Sequence, residues 1–228
     1  FLTLSIVFIF GLIQAIVGWW MVKSGLTENP YVSPYRLTFH LSNALIIYSI
    51  LLWSTFSSFF KKEKYNKFDN EINKYLIFGL LLIFLTILSG GFMAGTDAGN
   101  SYNTFPLMNE KIIPDDYYLE DYKWLNFFEN TVAVNFNHRW LATITFVYIV
   151  AFTVYFTIFS KLKIDKLSLN LVIFFVCLQF LLGILTLINN VPILLASMHQ
   201  TNSTLLLSSL FFAYHRHKYS SQDTLRDK

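Results

Sequence analysis

The sequence predicts an all-α protein, a bundle of helices that crosses a membrane several times. Three observations support this fold class. Hydrophobic residues make up 54% of the 228 residues, and charged residues make up only 14%, well below the share usual for a soluble domain. The apolar residues fall into runs of about 20, the length that a helix needs to cross the hydrocarbon core. These runs do not alternate with polar residues as the strands of a membrane barrel would.

We predict six spans in chain order, and each is a helix because lipid cannot satisfy backbone polar groups. They cover residues 1–22, 37–60, 75–94, 140–159, 167–188 and 193–214. Two further classes are disfavoured by composition. The low charge and high apolar content argue against disorder, and the single cysteine argues against a disulfide scaffold.

The Lys and Arg residues predict the orientation of the bundle. Twelve of the seventeen lie in the connection 61–74, in the connection between the fourth and fifth spans, or in the tail 215–228. Basic residues favour the inner side, so these segments face the cytoplasm or the mitochondrial matrix. The net charge of +3 therefore reflects asymmetry across a membrane and indicates no nucleic-acid partner. The long connection 95–137 faces outward, either as an ordered aromatic cap or as a solvated acidic loop.

Three histidines occur near the starts of spans that run from outside to inside. They are His40, His138 and His199. Ionisable residues inside spans are costly and usually functional. One such histidine could simply bind a neighbouring helix, but three at matched depth favour a binding site toward the outer face. We expect His215 and His217, in the basic tail, to face lipid headgroups instead.

The histidine pattern favours haem over zinc as a ligand. Structural zinc prefers four ligands, and the sequence has no HxxxH or CxxC pairing. Two histidines on facing helices suit an iron with two axial imidazoles, and Phe, Leu and Ile can pack the macrocycle. Arg36 and Arg139 stand beside these histidines and could pair with haem propionates. The alternative for both is an ordinary interfacial arginine.

An internal repeat explains why three histidines leave one without a partner. Residues 14–18 (QAIVG) match residues 179–183 (QFLLG), and each segment precedes a span with a histidine, His40 or His199. We expect both glutamines to form hydrogen bonds between helices. By symmetry, two further spans should precede Phe1. We thus expect an N-terminally truncated chain that carries six of eight spans, arranged as two pseudo-symmetric four-helix halves.

Several motifs resemble those of one known family. They are residues 18–26 (GWWMVKSGL), 35–41 (YRLTFHL), 94–99 (AGTDAG), 102–108 (YNTFPLM), 126–130 (NFFEN), 135–139 (NFNHR), 191–192 (VP) and 199–200 (HQ). In this order they are similar to the haem A synthase family of alpha-proteobacterial and mitochondrial type. The resemblance covers essentially the whole chain, and the first and fourth of these motifs are each specific.

The resemblance implies an oxidoreductase that converts the C8 methyl group of haem O to a formyl group, making haem A for cytochrome c oxidase. It implies that His138 and His199 ligate a haem b cofactor, and that His40 ligates the substrate haem. It implies no catalytic residue in this chain, because the expected glutamate lies upstream of Phe1, so the chain as printed could be inactive. Asn135 occupies the repeat-equivalent position, and an amide offers no acid–base chemistry.

The resemblance also divides the chain. Residues 1–60 form the second part of the substrate-haem half, and 61–74 form the inner connection. Residues 75–214, with the outer loop 95–137, form the haem b half, and 215–228 form the tail. The membrane would be the bacterial cytoplasmic membrane or the mitochondrial inner membrane. Implied partners are haem O and haem A, lipids, haem O synthase, cytochrome c oxidase assembly factors and further copies of the chain.

Two other functions fit part of the pattern. A di-haem b-type electron carrier would share the histidines without modifying haem. A transporter built from parallel repeats is disfavoured, because the spans hold almost no carboxylates and no Gly/Pro break in mid-span.

Overall fold

The computed structural model describes residues 2–25, 31–60, 70–160 and 164–219, and these ranges are helical without a β-strand. The predicted all-α class is thereby confirmed. The six long helices are α1 (Leu2–Val22), α2 (Pro34–Phe59), α3 (Asn70–Gly95), α5 (Thr131–Val154), α6 (Lys166–Ile188) and α7 (Ile193–Tyr219). A short helix α4 (Asn126–Glu129) precedes α5, and a π-helical turn (Tyr155–Phe159) follows it.

Each predicted span corresponds to one long helix, but the last differs in polarity. Within the described residues, five helices are long and apolar enough to cross a membrane. The helix α7 is equally long but more polar. Several of its polar side chains are buried against other helices, among them Asn202, Ser209 and His215. Polar groups are tolerated at such positions because neighbouring helices, rather than lipid, surround them.

The helix α7 owes this burial to its place in the bundle, where it packs against α6, α3 and α2. The helix α5 packs against α3 and α6, whereas α1 packs mainly against α2. Large side chains from five helices form the core, and those of α3, α5, α6 and α7 are almost fully buried, including Leu76, Ile149, Leu169 and Leu210. Hydroxyl pairs add ties between helices, such as Thr86 with Thr145 at 2.9 Å.

The fourth long helix begins earlier than predicted. It starts at Thr131 rather than near residue 140, because Asn130 caps its first turn by accepting a hydrogen bond from the Val132 N–H. The connection predicted to face outward is therefore 96–130. Two other helices extend well beyond the predicted spans, since α3 begins at Asn70 and α7 continues to Tyr219.

Buried amide side chains order this connection, as expected for a cap. Asn126 is fully buried, donates to the carbonyl oxygen of Tyr117 at 2.8 Å and accepts from the N–H of Leu119 at 2.9 Å. Asn130 donates to the carbonyl oxygen of Asp116 at 2.8 Å. The amides thus satisfy loop backbone groups that would otherwise be buried without partners. The connection is a folded layer at the start of α5.

Candidate functional site

The first histidine, His40, lies between α2 and α1 in a setting built from an amide pair and a glycine. Gln14 Nε2 on α1 lies 3.0 Å from His40 Nε2. Asn43, one turn beyond His40, donates to Gln14 Oε1 at 2.6 Å and to the Phe10 carbonyl oxygen at 3.2 Å. A Cβ added to Gly18 would stand 2.9 Å from His40 Cε1, so only glycine leaves room for the ring there.

The last histidine, His199, has the same surroundings between α7 and α6. Gln179 Nε2 lies 3.3 Å from both ring nitrogens of His199. Asn202 donates to Gln179 Oε1 at 2.8 Å and to the Phe175 carbonyl oxygen at 3.0 Å. A Cβ added to Gly183 would stand 2.9 Å from His199 Cε1.

The internal repeat is therefore present as one set of contacts made twice. The expected interhelical hydrogen bonds of Gln14 and Gln179 are confirmed, and each meets a histidine. Sequence reasoning missed Asn43 and Asn202. The signal was available, because an asparagine follows each histidine by three positions, which is one helical turn.

His138 lies between α5 and α3 in a different setting. The hydroxyl of Ser89 lies 2.7 Å from His138 Nδ1. The next residue, Gly90, faces the ring, and a Cβ added there would stand 3.4 Å from His138 Cε1. His138 on α5 and His199 on α7 thus lie in the same group of packed helices, α3, α5, α6 and α7, and that they share one ligand stays a prediction.

The three histidines stand at matching depths in their helices. His40 is the seventh residue of α2, His199 is the seventh of α7, and His138 is the eighth of α5. At a rise of 1.5 Å per residue, each lies about 10 Å from the start of its helix. A flat ligand parallel to the helix axes could therefore be held from two helices at one level.

The two arginines predicted as propionate contacts already bind backbone carbonyl groups. Arg36 donates to the carbonyl oxygen of Trp20 at 2.8 Å, and its guanidinium lies 4.5 Å from that indole ring. Arg139 donates to the carbonyl oxygens of Thr104, at 2.7 Å, and of Tyr102. Both arginines fix segments next to a histidine, and a role toward propionates stays a prediction.

Asn135 joins Arg139 to the outer connection. It is fully buried, accepts from Arg139 Nε at 2.6 Å and donates to the carbonyl oxygen of Ala98 at 2.8 Å. The predicted lack of acid–base chemistry at this position accords with this purely hydrogen-bonding role. The segment after α3 is thereby fastened to the turn of α5 that precedes His138.

The expectation that His215 and His217 face lipid headgroups is wrong. They are 1% and 3% exposed, because α7 continues through them and turns both rings toward neighbouring elements. His215 lies among aromatic rings, with Trp53 at 5.1 Å between ring centroids. His217 Nε2 accepts the backbone N–H of Asp165 at 3.2 Å. Burial lowers the pKa of His217, at the end of α7 beyond the predicted span, below its ordinary value of 6.5.

Among the described residues, no group of three or more His, Cys, Asp and Glu is placed to hold a metal ion. The histidines instead fit the axial positions of a haem iron. Imidazole nitrogen is a common axial ligand, and the rings of His40 and His199 each adjoin a glycine at which a side chain would intrude. In addition, His40 Nδ1 is buried without a hydrogen-bond partner in the described part of the chain.

The fold and this site define a class of protein, a multi-pass membrane helical bundle whose repeated helix pairs each hold an imidazole beside a glycine. The sequence model of the COX15-CtaA family, described as cytochrome oxidase assembly protein, matches residues 1–211. The chain belongs to this family, so the resemblance noted in the sequence is confirmed at the level of the family.

Individual proteins similar to this chain carry the name heme A synthase. The chain is 40% identical over 206 residues to "Heme A synthase" of Wolbachia pipientis subsp. Culex pipiens (strain wPip), covering 90% of this chain and 60% of the relative. It is 39% identical over 220 residues to "Heme A synthase" of Wolbachia pipientis wMel, covering 96% and 61%. "Heme A synthase COX15" of Arabidopsis thaliana is 35% identical over 237 residues, covering 98% and 51%. The chain therefore spans about 60% of the length of the two Wolbachia relatives.

Proposed function

We propose that this chain belongs to an oxidoreductase that makes haem A for cytochrome c oxidase by converting the C8 methyl group of haem O to a formyl group. The observation that carries the proposal is the alignment of nearly the whole chain with proteins named heme A synthase. The duplicated setting of His40 and His199 supports it, because two equivalent sites suit one haem as substrate and one as cofactor.

In this proposal His138 and His199 hold a haem b from opposite helices, and His40 is one ligand of the substrate haem. When bound, haem b would supply one-electron transfer, and His138 and His199 are the residues that would hold it. Converting a methyl to a formyl group adds one oxygen atom and removes four electrons, so it requires an oxygen source and an electron acceptor in addition to the residues of this chain. The protein residues orient the two haems and keep their ligating rings in place.

The remaining residues act on orientation and solvent access. Arg36 and Arg139 stand next to the histidines, where guanidinium groups can also meet carboxylates. The connection 96–130, fastened by Asn135 and Arg139, packs against the start of the helix that carries His138. A cover at this place shields a reactive intermediate from water. Dependence on haem O synthase, assembly factors or further copies of the chain belongs to the same proposal.

The test is extraction of haems after expression of the complete gene product in cells that make haem O. We expect haem A, or an intermediate hydroxylated at C8, in the membranes. A matched culture with the His40→Ala variant should accumulate haem O instead. The outcome that contradicts the proposal is a protein with full haem b content that yields neither product. That outcome would instead favour the di-haem electron carrier.

A further inference from the structure

We propose that Gln14, oriented by Asn43, competes with iron for the lone pair of His40 and thereby makes His40 an exchangeable ligand. The related pair Gln179 and Asn202 orients His199 without occupying a lone pair, which makes His199 a resident ligand. The inference rests on the proposed function, because it assumes that His40 meets the substrate haem and His199 the haem b. In this inference Gln14 is a positioning residue, which acts through His40 on the release of the substrate haem.

The orientation of each amide follows from its partners. Asn43 Nδ2 contacts two oxygen atoms, the Phe10 carbonyl at 3.2 Å and Gln14 Oε1 at 2.6 Å. The backbone carbonyl can only accept, so Asn43 must direct its NH2 group toward α1. Gln14 then directs its carbonyl oxygen to Asn43, and the group left to face His40 is its NH2. The Phe10 carbonyl therefore fixes which group donates and which accepts in every hydrogen bond from Asn43 to His40.

An NH2 donor requires a ring nitrogen with a lone pair. Gln14 Nε2 lies 3.0 Å from His40 Nε2, so this nitrogen carries no proton and Nδ1 carries it. Iron binds the same kind of lone pair. When iron takes the Nε2 lone pair of His40, the Gln14 NH2 group loses its acceptor in a part-buried place, and an unmet donor there disfavours the bound state.

The second pair differs in one respect. Gln179 Nε2 is 3.3 Å from both Nδ1 and Nε2 of His199. The two lone pairs of an imidazole diverge, so a donor equidistant from both nitrogens is aligned with neither. Iron can therefore bind His199 without displacing a well-aligned hydrogen bond. Asn202 orients the Gln179 amide as Asn43 orients the Gln14 amide, because its own NH2 group is directed by the Phe175 carbonyl.

The experiment measures haem O affinity and release in the complete detergent-solubilised protein that retains its haem b, with apomyoglobin as the acceptor for released haem. Gln14→Met removes the donor with little change in shape. We expect haem O to bind more tightly and leave more slowly, by roughly 5- to 150-fold, the worth of one unmet donor. Unchanged or weaker binding would overturn the inference, because a purely structural contact predicts weaker binding when it is lost.

A second variant should change the haem O affinity in the opposite direction. Asn43→Asp presents an acceptor to Gln14, which turns its NH2 to the new side chain and its carbonyl oxygen to His40. The ring then carries its proton on Nε2, so haem O should bind more weakly than in the wild type. In the protein freed of haem, ¹⁵N spectra of labelled histidine should show His40 protonated on Nδ1 in the wild type and on Nε2 in this variant. A wild-type ring protonated on Nε2 contradicts the inference even if neither variant folds.

Controls separate this inference from the function on which it rests. Gln179→Met should not tighten retention of haem b, and Gln200→Met, an exposed glutamine beside His199, should change neither haem. If His40→Ala leaves haem O affinity unchanged, the ligand assignment in the proposed function fails. If His40→Ala loses haem O while Gln14→Met binds it as the wild type does, only the competition fails.

Discussion

Substituting Gly183 by alanine should weaken haem b binding through a single added methyl group. The new Cβ would stand 2.9 Å from His199 Cε1, whereas carbon atoms at rest lie about 3.5–4.0 Å apart. The backbone of α6 is fixed by its own hydrogen bonds, so the ring must move by about 0.6–1 Å. Ligand geometry tolerates only about 0.5 Å. We therefore expect a loss in haem b affinity of about 10- to 100-fold, the usual cost of disturbing a ligand's support.

The assay is a titration of haem b into the haem-depleted protein in detergent, followed by the low-spin absorbance. Two alanine variants serve as matched controls. Gly11→Ala on α1 meets nothing within 4 Å, and Gly90→Ala meets His138 Cε1 only at 3.4 Å, so both should keep nearly the wild-type affinity. Wild-type affinity in Gly183→Ala would refute the idea that His199 lies against this glycine when it binds iron.

Three further predictions follow from hydrogen bonds outside the repeated pairs. Ser89→Ala removes the partner of His138 Nδ1 and should lower haem b affinity about tenfold in the same titration; an unchanged value would mean that this bond is not kept in the loaded protein. Asn135→Leu leaves buried polar groups of the loop without partners, so it should lower the free energy of unfolding by about 1–3 kcal/mol. The connection 96–130 should then be cleaved in limited proteolysis, and resistance equal to that of the wild type would contradict this. The lowered pKa of His217 means that the unfolded protein gains a proton below pH 6.5 before the folded one does. The melting temperature should thus be lower at pH 5.5 than at pH 7.5, and the difference should be smaller in His217→Asn. The same difference in both proteins would argue against a buried neutral ring at His217.

Periodicity and length were enough to predict the long helices, because a membrane admits few alternatives to a helix. The QxxxG repeat also predicted that Gln14 and Gln179 bond to a neighbouring helix. That their partners are His40 and His199 depends on the rotation of two helices about their axes, which no local pattern encodes. The polarity imposed by Asn43 depends in turn on a backbone carbonyl of another helix.

The failures have two physical origins. His215 and His217 look like headgroup-facing residues, because basic neighbours surround them in sequence. In space they are buried, since α7 extends past the predicted span and packs there against other elements. The early start of α5 depends on Asn130, a cap that a search for apolar runs does not detect. Tertiary packing decided the burial of the two histidines, whereas a local cap decided the start of α5.

The central claim is that His138 and His199 together ligate one haem b, and the reduced-minus-oxidised spectrum of the purified protein tests it most directly. His138→Ala, His199→Ala and the double variant should each lose the low-spin haem b signal, whereas His40→Ala should retain it in full. A double variant that still shows a complete low-spin haem b signal would contradict the assignment.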